Sequence, residues 1–173
     1  MDYYIQASVQ VPMSRAQADA LLELARHAVC AETEKLLDLP VGVPGLLQQL
    51  LVDSAGDEEE PYSRVEAGFG TSRLDLDGLT LLARPEGLWL LDSERADLDK
   101  MAALIQAAIL LYDLPPVGFE YACTGSRPAA DAYGGGVVFV TKDAVLRQDT
   151  SEMLARMRKR PTLKRALEQG SAT

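Results

Sequence analysis

The stretch Leu74-Asp75-Leu76-Asp77-Gly78-Leu79-Thr80-Leu81-Leu82-Ala83-Arg84-Pro85-Glu86-Gly87-Leu88-Trp89-Leu90-Leu91 decides the fold class. Leu74, Leu76, Leu79 and Leu81 recur around Asp75 and Asp77 with the two-residue period of a half-buried strand. Asp77-Gly78 marks a bulge or a turn inside the run. Arg84-Pro85-Glu86-Gly87 reads as a tight hairpin turn, with proline and glycine where turns favour them. A strand over 74–83 followed at once by a strand over 87–91 is an antiparallel pair, because a parallel partner needs a long crossover. A further strand is expected just upstream, over Val65–Phe69.

At the N-terminal end, Tyr3–Val11 alternates again: Ile5, Ala7, Val9 and Val11 face one way, Gln6, Ser8 and Gln10 the other. Pro12 closes that strand. Ser14 with Gln17 three residues on forms a capping box, so a helix is predicted from Arg15 to Val29 or Cys30. Its apolar stripe is Ala20, Leu21, Leu24, Ala25, Ala28 and Val29. Pro40, Gly42, Pro44 and Gly45 interrupt the next stretch, and Leu46, Leu47, Leu50 and Leu51 imply a short amphipathic helix. Asp53–Pro61 reads as an exposed acidic loop. Downstream, a second long helix is predicted over Ala96–Asp113, capped by Ser93 or Asp92, with Asp97 and Asp99 at the positive end of its dipole. It is apolar on most sides, as in a core or an oligomer interface. Pro115-Pro116 ends it. Strands are expected over Val117–Ala122 and Val137–Thr141, joined by a loop over 123–136. A last helix is expected over Ser151–Glu168, interrupted at Pro161 and burying Met153, Leu154 and Met157.

The expected fold is therefore α+β: a mainly antiparallel sheet with two long helices packed on one face, a ferredoxin-like split β-α-β core, and a C-terminal helix. The expected organisation is one domain over 1–150 and a basic helical segment over 151–173.

The 173 residues include 47% hydrophobic and 25% charged side chains, ordinary for a globular chain. Residues 1–150 carry 11 basic and 24 acidic side chains and residues 151–173 carry 6 and 2, so a body of net −13 leads into a segment of net +4. A pI near 4.6 argues against general nucleic-acid binding. Met-Asp-Tyr-Tyr at the start carries no basic or apolar signal region, and the longest apolar run, Met101–Tyr112, falls short of the roughly 20 residues that span a bilayer. Cys30 and Cys123 match no zinc or redox spacing, which fits a reduced, cytoplasmic protein. No cofactor or metal motif is visible.

Candidate chemistry is thin. Gly134-Gly135-Gly136 resembles a phosphate cradle in composition, but it precedes a strand where such loops open a helix, so a conformationally demanding loop is the plainer reading. Cys123 lacks a partner base in the sequence, and His27, the only histidine, lies on the first helix beside Glu23. Glu120 and Asp131 would form an acid–base pair if they shared a pocket. Otherwise Glu120 takes the solvent face of its strand and Asp131 caps a turn. Asp57, Glu58, Glu59 and Glu60 lack the alternating spacing of a calcium loop and read as a solvated run, or as an acidic contact for a basic protein groove. The basic residues Arg156, Arg158, Lys159, Arg160, Lys164 and Arg165 lack interleaved aromatics, which weakens a single-strand-binding reading.

Phe119-Glu120-Tyr121-Ala122-Cys123-Thr124-Gly125-Ser126-Arg127-Pro128, then Asp131-Ala132-Tyr133-Gly134-Gly135-Gly136-Val137-Val138-Phe139-Val140-Thr141, resembles a family of uncharacterised bacterial proteins found on phages, plasmids and integrated elements. Members commonly show Phe-Glu-Trp-Ala, a Thr-Cys-Ser-Lys-Pro stretch and an aromatic followed by three glycines. The resemblance covers residues 87–141. Tyr121 stands where the family has tryptophan, and Gly125 where it has cysteine, so a cysteine-based role does not carry over. The resemblance implies an accessory protein of a mobile element.

The expected function is non-enzymatic: binding of another protein, in the specific form of inhibiting a host defence system. The expected contact residues are Glu58, Glu59, Glu60, Arg127, Asp131, Tyr133, Gly134, Gly135 and Gly136, with a homodimer through the apolar second helix as an addition. The alternatives are a small-ligand site or enzyme at 120–136 and a nucleic-acid contact through the basic C-terminal helix.

Overall fold

A computed structural model of the chain describes residues 3–30, 32–51, 66–68, 71–76, 78–92, 94–125 and 133–159. It is an α+β fold with one antiparallel sheet of eight strands. These are β1 (Tyr3–Val11), β2 (Glu66–Gly68), β3 (Thr71–Leu76), β4 (Leu79–Arg84), β5 (Gly87–Asp92), β6 (Val117–Gly125), β7 (Tyr133–Val140) and β8 (Val145–Asp149). Their order across the sheet is β2-β3-β4-β5-β1-β6-β7-β8. The helices are α1 (Arg15–Val29), α2 (Val43–Gln48), α3 (Leu98–Tyr112) and α4 (Thr150–Arg158).

The predicted strand over 74–83 is two strands. The chain turns at Gly78, which sits at φ +90°, and β3 pairs with β4 in the register Leu76 to Leu79 and Leu74 to Leu81. The 84–87 hairpin forms as expected, with Arg84 opposite Gly87. Gly87 is required there: at φ +139° a Cβ would lie 2.3 Å from the Val11 carbonyl oxygen.

The ferredoxin-like core does not form. A split β-α-β unit would give β1 a parallel neighbour, whereas β1 pairs antiparallel with β5 on one side and β6 on the other. The four strands β2 to β5 make a meander that returns beside β1, and β6 to β8 make a second meander on its other side. Two short antiparallel runs thus meet at one central strand.

α1 carries the predicted capping box: the Ser14 hydroxyl accepts from the Gln17 amide at 3.3 Å, and the Gln17 side chain accepts from the Ser14 amide at 2.9 Å. Its buried stripe is Ala18, Leu21, Leu22, Ala25, Ala28 and Val29. The face is therefore rotated from the predicted one, leaving Ala20 exposed and Leu24 half-buried. α3 starts later than predicted. Asp97 is its cap, accepting from the Asp99 and Lys100 amides, while Asp92 instead accepts from Glu94 and Arg95 in the preceding turn. Asp113 in the left-handed region ends α3 just before the two prolines.

One hydrophobic cluster joins α1, α2 and α3 to alternate residues of the sheet, from Leu74 and Leu81 through Leu90, Val9 and Phe119 to Val138 and Val140. α3 buries Leu98, Met101, Leu104, Ile105 and Ile109 in that cluster. The face expected to serve a homodimer is therefore occupied by the chain's own core. Gln6, Ser8, Gln10, Glu120 and Ala122 project from the opposite sheet face and are exposed. Among the described residues no helix is long and apolar enough to cross a membrane.

Candidate functional site

The three glycines lie inside β7, not in a loop. Gly134, Gly135 and Gly136 stand opposite Cys123, Ala122 and Tyr121 of β6, so both ends of the predicted loop over 123–136 are ladder, while 126–132 lie outside the described residues. Two of the glycines answer to close approach. A Cβ on Gly135, which sits at φ +153°, would lie 2.3 Å from the Tyr121 carbonyl oxygen; a Cβ on Gly136 would lie 2.4 Å from the Gln148 carbonyl oxygen and 2.6 Å from the Tyr121 hydroxyl. Gly136 thus seats the Tyr121 ring across the ladder, as an aromatic packs over a facing strand glycine. No helix opens after these glycines, so the phosphate-cradle geometry is not built here.

Tyr121, only 5% exposed, ties β6 to β8. Its hydroxyl donates to the Asp149 carboxylate, and the Arg147 guanidinium lies 5.0 Å from the ring centroid and 3.5 Å from Asp149. Thr150, the first residue of α4, donates from its hydroxyl to the Gly135 carbonyl at 3.0 Å. Together these contacts hold β8 and the start of α4 against the glycine segment. Beside them is a cavity of about 310 Å³, lined by Glu120, Tyr121, Gly135, Val137, Gln148 and Met153. A shallower trough of about 780 Å³ runs over the open sheet face past Gln6, Ser8, Arg73, Thr80 and Glu120.

The exposed surface of this flank is apolar. Val137 and Phe139 are each 45% exposed on the open face of β7, Tyr133 is 68% exposed on the same strand, and Leu146 of β8, directly opposite Phe139, is 60% exposed. On α4, Met153, Leu154 and Met157 are 43%, 52% and 40% exposed. The inward placement expected of these three does not hold. α4 is docked through the Thr150 hydroxyl of its first turn, and these three side chains stay exposed.

Of the expected contact residues, Tyr133 and Gly134–Gly136 fall on this flank, while Glu58, Glu59, Glu60, Arg127 and Asp131 lie outside the described residues. Glu120 is exposed on the open face. It takes the solvent position of an alternating strand, and its expected partner Asp131 is outside the described set. Cys123 is half-buried against the core and Cys30 is exposed; both are free thiols. His27 contacts Glu32 at 2.5 Å on α1's surface. Among the described residues no group of three histidine, cysteine or acidic side chains could hold a metal.

Sequence reasoning missed β8, and with it Val145, Leu146, Arg147 and Asp149. The available signal was the turn before it: the Thr141 hydroxyl accepts from the Asp143 and Ala144 amides, a side-chain-built turn between β7 and β8. Compared with protein-family models, with curated proteins and with solved structures, the chain matches none.

Proposed function

We propose that this chain is a non-enzymatic protein-binding module, and that its contact surface is the flank formed by β7, β8 and α4. The observation that carries the reading is the run of exposed apolar side chains there: Tyr133, Val137, Phe139 and Leu146 on the sheet, Met153 and Leu154 on the helix. Contiguous exposed apolar patches of this kind mark interaction sites, and aromatic and methionine side chains are the types enriched in interface cores. The cavity beside Tyr121 supports this reading more than a catalytic one. Beside it the Tyr121 phenol, the Arg147 guanidinium and the Asp149 carboxylate contact one another and anchor β8.

The resemblance over residues 87–141 supports service to a mobile genetic element, and inhibition of a host defence protein is the specific form proposed. The test is capture from host lysate with the wild type, a Phe139→Asp/Leu146→Asp variant, and a Glu58→Lys/Glu59→Lys/Glu60→Lys variant. The reading expects a stoichiometric partner lost with the apolar-flank variant. A partner retained by that variant and lost by the acidic-loop variant would move the contact to residues 57–60.

A further inference from the structure

β8 ends the sheet, and among the described residues no strand pairs with its outer edge. Natural sheets blunt such edges with short strands, charged side chains, proline, bulges or a covering element, and of these β8 has its five-residue length and the charges of Arg147 and Asp149. β8, Val145-Leu146-Arg147-Gln148-Asp149, contains neither lysine nor proline, and its Val145 and Leu146 are 42% and 60% exposed. α4 does not run along the outside of this edge at its start. Thr150 bonds inward to Gly135 of β7, and Met153 lies beside Glu120 and Val137.

The charges on β8 are arranged to fit themselves. In an antiparallel pair, directly opposed residues share a face. A strand paired with its own copy about a two-fold axis perpendicular to the sheet must therefore be centred on a residue. Centring on Arg147 sets two guanidiniums against each other. Centring on Leu146 sets Val145 against Arg147. Centring on Gln148 sets Arg147 of each copy against Asp149 of the other, giving two reciprocal opposite-charge pairs. Arg147 and Asp149 already point to the same face, 3.5 Å apart within one chain. To reach the second copy's Asp149, the Arg147 guanidinium turns outward from the Tyr121 ring, over which it lies at 5.0 Å in the single chain.

We infer that the outer edge of β8 pairs with β8 of a second copy of this chain, antiparallel and centred on Gln148, joining two eight-stranded sheets through reciprocal Arg147–Asp149 contacts. The interface is isologous, so it closes as a dimer and does not propagate. It rests on reading this flank as a protein contact and names the occupant of its edge. The open face with Phe139 and Val137 stays available to a different partner.

The test is light scattering on the full chain as wild type, Arg147→Asp, Asp149→Arg, and an equimolar mixture of the two variants. Each variant alone places like charges at both positions and should dimerise about tenfold or more weakly. The mixture restores both pairs across the two-fold and should recover a dimer containing one of each chain. A monomeric wild type, or a mixture that stays monomeric, overturns the inference. Should either charge variant fail to fold, Gln148→Cys in a Cys30→Ser background decides it. Opposed residues come close enough for a disulfide, so oxidation should give a covalent dimer through position 148. Cross-linking by Leu146→Cys and not by Gln148→Cys would overturn the register, and by neither would overturn the pairing. Loss of the pairing with the lysate partner still captured would leave the protein-contact reading standing on its own evidence.

Discussion

The two flanks of the sheet are both antiparallel hairpins and differ in what covers their apolar rows. β4 and β5 are hairpin strands rich in leucine, and their inward residues Leu79, Leu81, Leu88 and Leu90 are sealed beneath the helices. β7 and β8 also form a hairpin with a buried row, Val138 and Val140, yet their outward row is Tyr133, Val137, Phe139 and Leu146. On the β4–β5 side α1 lies over the inward face, tied down by Arg15, which bonds Asp19 at 2.8 Å and Ser72 at 3.0 Å. On the β7–β8 side only the start of α4 meets the sheet among the described residues, and Val137, Phe139 and Leu146 stay 45%, 45% and 60% exposed. Apolar content alone therefore does not separate a core strand from a contact strand; the row on which it falls does.

That contrast can be broken most forcefully at its cores. Leu90→Ala should cost about 2–5 kcal/mol, the range for emptying a sealed leucine site, while Leu146→Ala should stay within about 0.5 kcal/mol. Urea unfolding of both variants checks it, and equal losses would mean Leu146 is packed within the chain. Next in size are the glycines. Gly136→Ala should cost about 1–3 kcal/mol because its methyl must displace the Tyr121 ring and the Gln148 carbonyl. Hydrogen exchange should show the loss confined to β7, β8 and α4, with β4 and β5 unchanged.

A smaller effect sharpens the other side. Ser14→Ala removes one half of the α1 capping box and should cost about 1 kcal/mol by thermal or urea unfolding. The smallest is a pH effect at the α1–β3 contact. Burial pushes the Asp19 carboxyl up, but hydrogen bonds from Arg15 and Ser72 and the Arg15 charge outweigh it, leaving the group below its ordinary value. A depressed folded value means the contribution is present above the unfolded value, about 3.9, and is lost as pH falls through the folded one. Asp19→Asn should therefore flatten the acid side of the stability curve slightly and leave its neutral and alkaline sides parallel to wild type.

Much of the fold was legible. The Ser14–Gln17 spacing located α1, the 84–87 turn located the β4–β5 hairpin, and the period of two in Tyr3–Val11 defined β1. Strand order was not legible, because local periodicity carries no record of which hairpin returns beside β1. β8 was missed because Val145–Asp149 is short and two of its five residues are charged, so its pattern is weak until the Thr141 turn is seen. The candidate flank was half legible. Gly134–Gly136 stand out as glycines, but the reason for them, the Tyr121 ring and two facing carbonyls, is a property of the ladder. Met153, Leu154 and Met157 read as a buried face since sequence shows amphipathicity without showing what stands opposite it.

The assignment of the β7–β8 flank as a contact surface is tested by hydrogen exchange of the β8 amides at rising protein concentration, with β4 as the internal reference. β4 should show strong protection that does not depend on concentration, and protection in Val145–Asp149 should grow as the chain is concentrated. Exchange in β8 that stays the same at every concentration, in a chain that also captures no partner, would contradict that assignment.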